Sequence, residues 1–216
     1  MSYDIPGPHL HNAFTRGALS NWSLENVLLA RSALPVNVVD SGQFFGDSEI
    51  AVRPDRVPGQ PLYLYGSQCA STLLGLGELM PGQGCPGGRA FNPNAFQDPP
   101  IDPNTFSVTR QGNLGRNALR GFNAVQWDIG IRREFPMHEG SMRLQFRAEL
   151  FNILNHPNFA NPVGDLASLG VPSGFGLSTQ TLAKGLGGNE PGGGGFASVF
   201  QLGGPRSVQF GLKLLF

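Results

Sequence analysis

Three stretches of the chain alternate between apolar and polar residues with a period of two, and each does so for about eleven residues. In "RSVQFGLKLLF", which ends the sequence, Val208, Phe210, Leu212, Leu214 and Phe216 form one set, and Ser207, Gln209, Gly211 and Lys213 the other. "SMRLQFRAELF" sets Met142, Leu144, Phe146, Ala148 and Leu150 against Arg143, Gln145, Arg147 and Glu149. "NAVQWDIGIRREF" sets Val125, Trp127, Ile129 and Ile131 against Gln126, Asp128, Gly130 and Arg132. Wound as helices, these segments would scatter charge around the whole circumference, so each reads as a strand with one greasy face. At ~3.3 Å per residue such a strand is roughly 36 Å long, enough when tilted by about 40° to cross an apolar band of about 25 Å. Strands in soluble sheets are typically about 5–6 residues.

The connections support the same architecture. "FPMHEG" (135–140) is a short turn, whereas the connection that follows, about 152–205, is long and contains "GLGGNEPGGGG". A second long, Gly/Pro-rich connection runs from Asp40 to Arg120. Loops of that length are uncommon in compact soluble domains, and short turns on one side with long loops on the other are the habit of outer-membrane barrels. Upstream, "ALSNWSLENVLLARSALPVNVV" (18–39) reads as another strand of ambiguous phase: Trp22 and Leu24 share a parity that Val27 and Leu29 break, and a bulge near Asn26 would reconcile them. "MSYDIP" looks like the tail of a further strand. The expected fold is therefore all-β: an antiparallel transmembrane β-barrel fragment of four to five strands with long extracellular loops, spanning residues 1–216 without a separate second domain.

Composition narrows the function classes. Gly (31) and Pro (18) are abundant and charged residues make up only 14%, but sixteen Phe supply surface to bury and argue against simple disorder. Formal charge is zero and no basic stripe stands out, so nucleic acid is not an expected partner. No apolar run reaches the length of a transmembrane helix, and the first residues lack the pattern of a signal peptide. Cys69 and Cys85 fit either a disulfide in an oxidising compartment or two unpaired thiols.

No residue pattern points to catalysis or a cofactor. His9 and His11 lie on one face of an extended segment with no third metal ligand in sight. His138 and His156 are isolated, and no nucleophile–base order, phosphate loop or paired-cysteine motif occurs; neither an enzyme nor a cofactor is expected. "GFG" at 174–176 lacks the spacing of a dinucleotide loop, and the "NWS" sequon at 21–23 falls in an expected spanning strand. Trp22 and Trp127 read as membrane-interface or lipid-face residues rather than ligand platforms. Asp128, Arg143, Arg147, Glu149 and Lys213 face away from the grease and are expected to line a polar lumen or to form cross-strand ion pairs. "NILNHPNF" (152–159) interrupts the alternation, and a short helical turn is expected near 151–154.

The ending also resembles the C-terminal assembly signal of outer-membrane barrels, with Gln209, Gly211, Leu214 and Phe216 at its polar, glycine, hydrophobic and aromatic places. "GNLGRNALRGFNAVQWDIGIRREFPM" followed by "LQFRAELFNILNHPNFANP" resembles the last strands of TonB-dependent outer-membrane transporters, most nearly the Oar-like group; "NWSLENVLLARSALPVNV" and "PGGRAFNPNAF" are similar to it too. The resemblance covers nearly the whole chain. It implies an outer-membrane location, contact with membrane lipid, handling by the barrel-insertion machinery, and uptake energised by TonB through an N-terminal plug region. Such transporters have about twenty-two strands and a plug that is not legible here, so the resemblance implies the C-terminal part of a transporter. A structural or adhesive surface β-protein is the alternative; a soluble β-sandwich fits the strand lengths and terminal Phe poorly.

Overall fold

The structure, a computed structural model, describes residues 2–7, 17, 19–45, 48–69, 84–137, 142–168, 174–182 and 203–216. Its strands in chain order are β1 (Ser2–Ile5), β2 (Trp22–Arg31), β3 (Pro35–Val36), β4 (Asp40–Phe45), β5 (Ser48–Val52), β6 (Asp55–Arg56), β7 (Tyr63–Tyr65), β8 (Arg89–Phe91), β9 (Phe96–Gln97), β10 (Leu119–Arg120), β11 (Ala124–Pro136), β12 (Arg143–Phe151) and β13 (Ser207–Leu215).

Five of them form one antiparallel wall in the order β1-β2-β11-β12-β13. The three alternating stretches are thus adjacent as their shared period required. In an antiparallel ladder directly opposed residues share a face, so the pairings assign every side chain. Leu144↔Leu214, Phe146↔Leu212 and Ala148↔Phe210 continue across β11 as Ile131↔Ala148 and Ile129↔Leu150. They then reach β2 as Ile131↔Leu24 and Trp127↔Leu28. This face stays open: Phe210 and Leu212 are each 70% exposed, and Phe146 and Phe210 stack at 6.1 Å between centroids. Exposing such side chains to water forfeits roughly 2–3 kcal/mol for each large one, so the face is built for lipid. At the short-turn end, Arg133 lies 5.1 Å from the Trp22 ring centre and 4.3 Å from that of Phe135. This aromatic–cation cluster suits a membrane interface.

The phase of β2 departs from expectation. No bulge occurs at Asn26; the register with β11 is unbroken from Arg31↔Ala124 to Trp22↔Arg133. Trp22, Leu24 and Leu28 keep the lipid face, while Val27 and Leu29 point to the other side. There they line a recess in the wall together with Asp128 and Phe151. The strand is also shorter than expected. It ends at Arg31, and the chain then leaves the wall to pair β3 with β10.

At the top of β12 no helical turn forms. Phe151 still belongs to the strand, and Asn155 N donates to Asn152 O at 2.7 Å to close a tight turn. Asn152 and Asn155 have φ of 48° and 49°, a left-handed conformation that asparagine tolerates and that a right-handed helix excludes. The expected turn at 135–140 begins later, since β11 runs through Pro136. Residues 138–140, His9 and His11 lie outside the described residues.

The larger departure is in the loops. The 40–120 connection is a folded cap in which β4 pairs with β5, β6 with β9 and β7 with β8. It has a core of its own: Val36, Val38, Phe91, Ala95, Phe96, Leu114 and Leu119 pack with Leu166 and Phe175, which come from the other long loop. A satellite cluster joins Leu64 and Ala90 to Cys69 and Cys85, which form a disulfide with Cα atoms 5.4 Å apart.

Candidate functional site

The face opposite the lipid carries the candidate site. Its residues follow from the same registers: Asp4 and Ser23; Glu25 beside Gly130 and Glu149; Arg132 beside Arg147; Glu134 beside Gln145 and Lys213. Asp128, Arg143, Arg147, Glu149 and Lys213 all lie on this face, as the alternation required. Four of its strands are joined by ion pairs. Arg147 donates from Nη2 to Glu25 Oε2 and from Nε to Glu149 Oε1, each at 2.9 Å. Arg132 reaches Glu25 and Asp4 at 3.8 Å, and Arg143 reaches Glu134 at 3.5 Å. Glu25 spans from β2 to β12 because Gly130, the residue between, has no side chain in the way. Half-exposed pairs of this kind contribute only about 0–1 kcal/mol each. What they do is fix the orientation of the charged heads on the wall. Lys213 joins no ion pair among the described residues.

Glu25 and Arg132 partner the expected residues; Glu25 went unnamed because the reading of β2 followed its apolar side chains, whose parity breaks at Val27. The residues that hold the loops to the wall were missed as well. Above the point where β12 begins to pair, β11 has an uncovered edge, and side chains of the second long loop cover it. Asn158, 1% exposed, accepts from Val125 N at 2.8 Å and donates from Nδ2 to Val125 O at 3.0 Å, replacing a missing strand with one carboxamide. Asn152 N donates to Asp128 Oδ1 at 2.7 Å, and Asn152 Nδ2 donates to Gly204 O and His156 O. Gln126 Oε1 accepts from Gly203 N at 3.0 Å while its Nε2 donates to both oxygens of Asp128. Asp128 thus lies on the polar face yet is engaged in holding the cap. The signal available in sequence was three asparagines in "NILNHPN", read only as turn formers. His156 also serves this turn, with Nδ1 3.2 Å from Asn158 Oδ1.

On the polar side of the wall is a recess of about 390 Å³ lined by Glu25, Val27, Leu29, Asp128, Arg147 and Phe151, from β2, β11 and β12. It combines an apolar flank with charged groups held in pairs, and it opens on the polar face. Among the described residues no cluster of three or more metal-ligating side chains occurs.

The four residues of the terminal signal divide between the faces. Gln209 and Gly211 lie on the polar side, opposite Glu149 and Arg147, while Leu214 opposes Leu144 on the lipid side. Phe216 follows β13 at 94% exposure. Trp127 lies on the lipid face opposite Leu28.

In the cap, Arg110 grips Asp55 through two hydrogen bonds of 2.7 and 2.9 Å, and Asn113 N adds a third at 2.8 Å. The Arg110 hydrogen bond is the main reason the Asp55 carboxyl is held below its ordinary value; burial opposes the shift. Asp98 moves the other way, raised by burial and by a hydrogen bond with Asp40.

No curated protein and no solved structure matches the chain. The family model described as outer membrane beta barrel domain matches residues 1–186. With a lipid-facing stripe, an ion-paired opposite face and long loops gathered at one end, the chain belongs to the outer membrane beta barrel domain family, and the outer membrane is where it resides.

Proposed function

We propose that this wall and cap belong to a transporter that takes up a solute across the outer membrane, energised by TonB acting through a plug in the barrel. The observation that carries the reading is the polar face, where Glu25, Arg132, Arg147 and Glu149 form an ion-paired network beside a recess in the wall. A wall whose charges are already paired holds a passage open to polar solutes without trapping them as a lone charge would. In this reading the free edges of β1 and β13 meet further strands, since closure of a barrel takes at least about eight. The resemblance of β11–β13 to TonB-dependent transporters of the Oar-like group supplies the energy source. The role has no catalytic step and no cofactor.

The cap also suits a second role, as a structural or adhesive surface, because its own core lets it present a fixed outer face. Comparing solute depletion from the medium by the parent strain, a strain lacking this gene and a strain lacking TonB separates the two. Uptake requires the same solutes to remain behind in both deletions. Unchanged depletion with loss of surface attachment in the gene deletion alone would establish the adhesive role instead.

A further inference from the structure

The cap carries a second cavity, separate from the recess at the wall. The strips 52–56 and 110–117 run side by side: Gly112 N donates to Arg53 O at 2.8 Å and Leu114 N to Pro54 O at 3.2 Å. A side chain at position 112 would run into the Arg53–Pro54 backbone, so glycine is what permits this approach. Beside the strips lies an open cavity of about 440 Å³ lined by Asn37, Arg53, Gln111, Arg116 and Asn117, with Val39 and Ala51 as apolar floor. No Asp or Glu lines it.

The hydrogen bonds already made decide what the cavity offers. Arg53 N donates to Gln111 Oε1 at 3.0 Å, and Asn117 N to Asn37 Oδ1 at 3.4 Å. Both carboxamide oxygens are therefore engaged by backbone, and among the described residues the NH₂ groups donate to no partner. Arg53 Nη1 donates to Leu114 O at 3.0 Å, a bond that fixes the guanidinium without neutralising it. Arg116 joins no ion pair among the described residues. Asp55, the acid within these strips, is closed off by Arg110 and Asn113. The same pattern recurs on the neighbouring flank, where Arg56 N donates to Asn113 Oδ1 at 2.8 Å beside a further cavity that both residues line.

A concavity that presents two uncompensated guanidiniums and amide donors, with no carboxylate, matches a ligand that is negative and rich in acceptors. We propose that the cavity beside strips 52–56 and 110–117 is an extracellular oxyanion-binding site, taking a carboxylate or phosphate group through Arg53 and Arg116. The site stands whether or not the barrel transports, because it rests on the cap alone.

Two sources present such a group: a free anionic solute, and the phosphates of outer-leaflet glycolipid. The test uses the full chain extracted from outer membranes into uncharged detergent. In one arm citrate, inorganic phosphate and, as neutral control, glucose are titrated by calorimetry at low salt. In the other, binding to phosphatidylcholine vesicles with and without lipid A is measured. The variant is R53Q/R116Q, with Arg206→Gln as an exposed-charge control away from the cavity, and an unchanged thermal transition confirms that each variant is folded. Saturable anion binding in either arm, weakened at least tenfold in R53Q/R116Q and unaffected in R206Q, supports the site; the responding arm identifies the source. No binding in both arms, undiminished binding by the double variant, or equal loss in R206Q overturns it.

Discussion

Asn158 tests the account of how the cap is fastened. It is buried, and its single carboxamide satisfies both the N–H and the C=O of Val125 at 2.8 and 3.0 Å, on the stretch of β11 that β12 does not cover. Asn158→Ala removes both partners at once and leaves two part-buried backbone groups unsatisfied. Each unsatisfied group costs about 1–3 kcal/mol, so the loss is expected to be about 3 kcal/mol, with partial water entry keeping it below the upper sum. For a domain of this size each kcal/mol moves the thermal midpoint by about 2–4 °C, which gives a fall of roughly 6–12 °C. Asn158→Asp separates the two bonds: it keeps the acceptor for Val125 N but sets a second oxygen against Val125 O, and should destabilise comparably despite its near-identical shape. The assay is thermal unfolding in detergent, followed by circular dichroism and by heat-modifiable gel mobility. A midpoint shift under about 2 °C for both variants would refute the idea that a side chain stands in for a strand here.

Removing Phe216 is expected to lower sharply the folded protein recovered in outer-membrane fractions, whereas Leu215→Ala, on the opposite face, should have a smaller effect; equal folded yields for parent and Phe216 deletion would reduce the ending to a greasy strand. Opening the Cys69–Cys85 bond, which closes a loop of separation 16, should destabilise the cap by about 3 kcal/mol. Protease cleavage after Cys69→Ser/Cys85→Ser should therefore fall within the cap, with the wall intact. For Asp55 the sign is that of a carboxyl whose folded pKa lies below its unfolded one. Its stabilisation is complete above the unfolded value and is lost as pH falls through the folded value. Cap unfolding in acid should therefore begin nearer neutrality in Asp55→Asn, and identical acid profiles for variant and parent would count against the pair.

The wall was legible because alternation encodes it directly. In β12, β13 and β11 as far as Ile131 every second side chain is apolar, and the pairings Phe146↔Leu212 and Ala148↔Phe210 follow once the strands are adjacent. Strand β2 misled because its polar face is not uniformly polar. Val27 and Leu29 lie on it, in a recess shared with Glu25 and Asp128, so the parity of the apolar residues changes along the strand without a bulge. The cap itself left little periodic signal. Its strands are mostly two to six residues long, and its core is assembled from residues as distant as Val36 and Phe175. Gly and Pro, read as marks of irregular loop, serve there as turns between short pairings. The charges of the polar face could be named from parity alone, but which acid met which arginine depended on Gly130 clearing the path for Glu25.

The shared core of the cap has a consequence for how such proteins diversify. Leu166 and Phe175 from one loop pack among Phe91, Phe96 and Leu119 from the other, with Phe96 and Phe175 meeting edge to face at 5.6 Å. Neither loop is therefore an exchangeable module. A graft that replaces one will leave the other without part of its interior, and drift in one must be answered by drift in the other. Diversity at the outer surface is accordingly channelled into positions such as Phe106, which faces solvent and can vary singly.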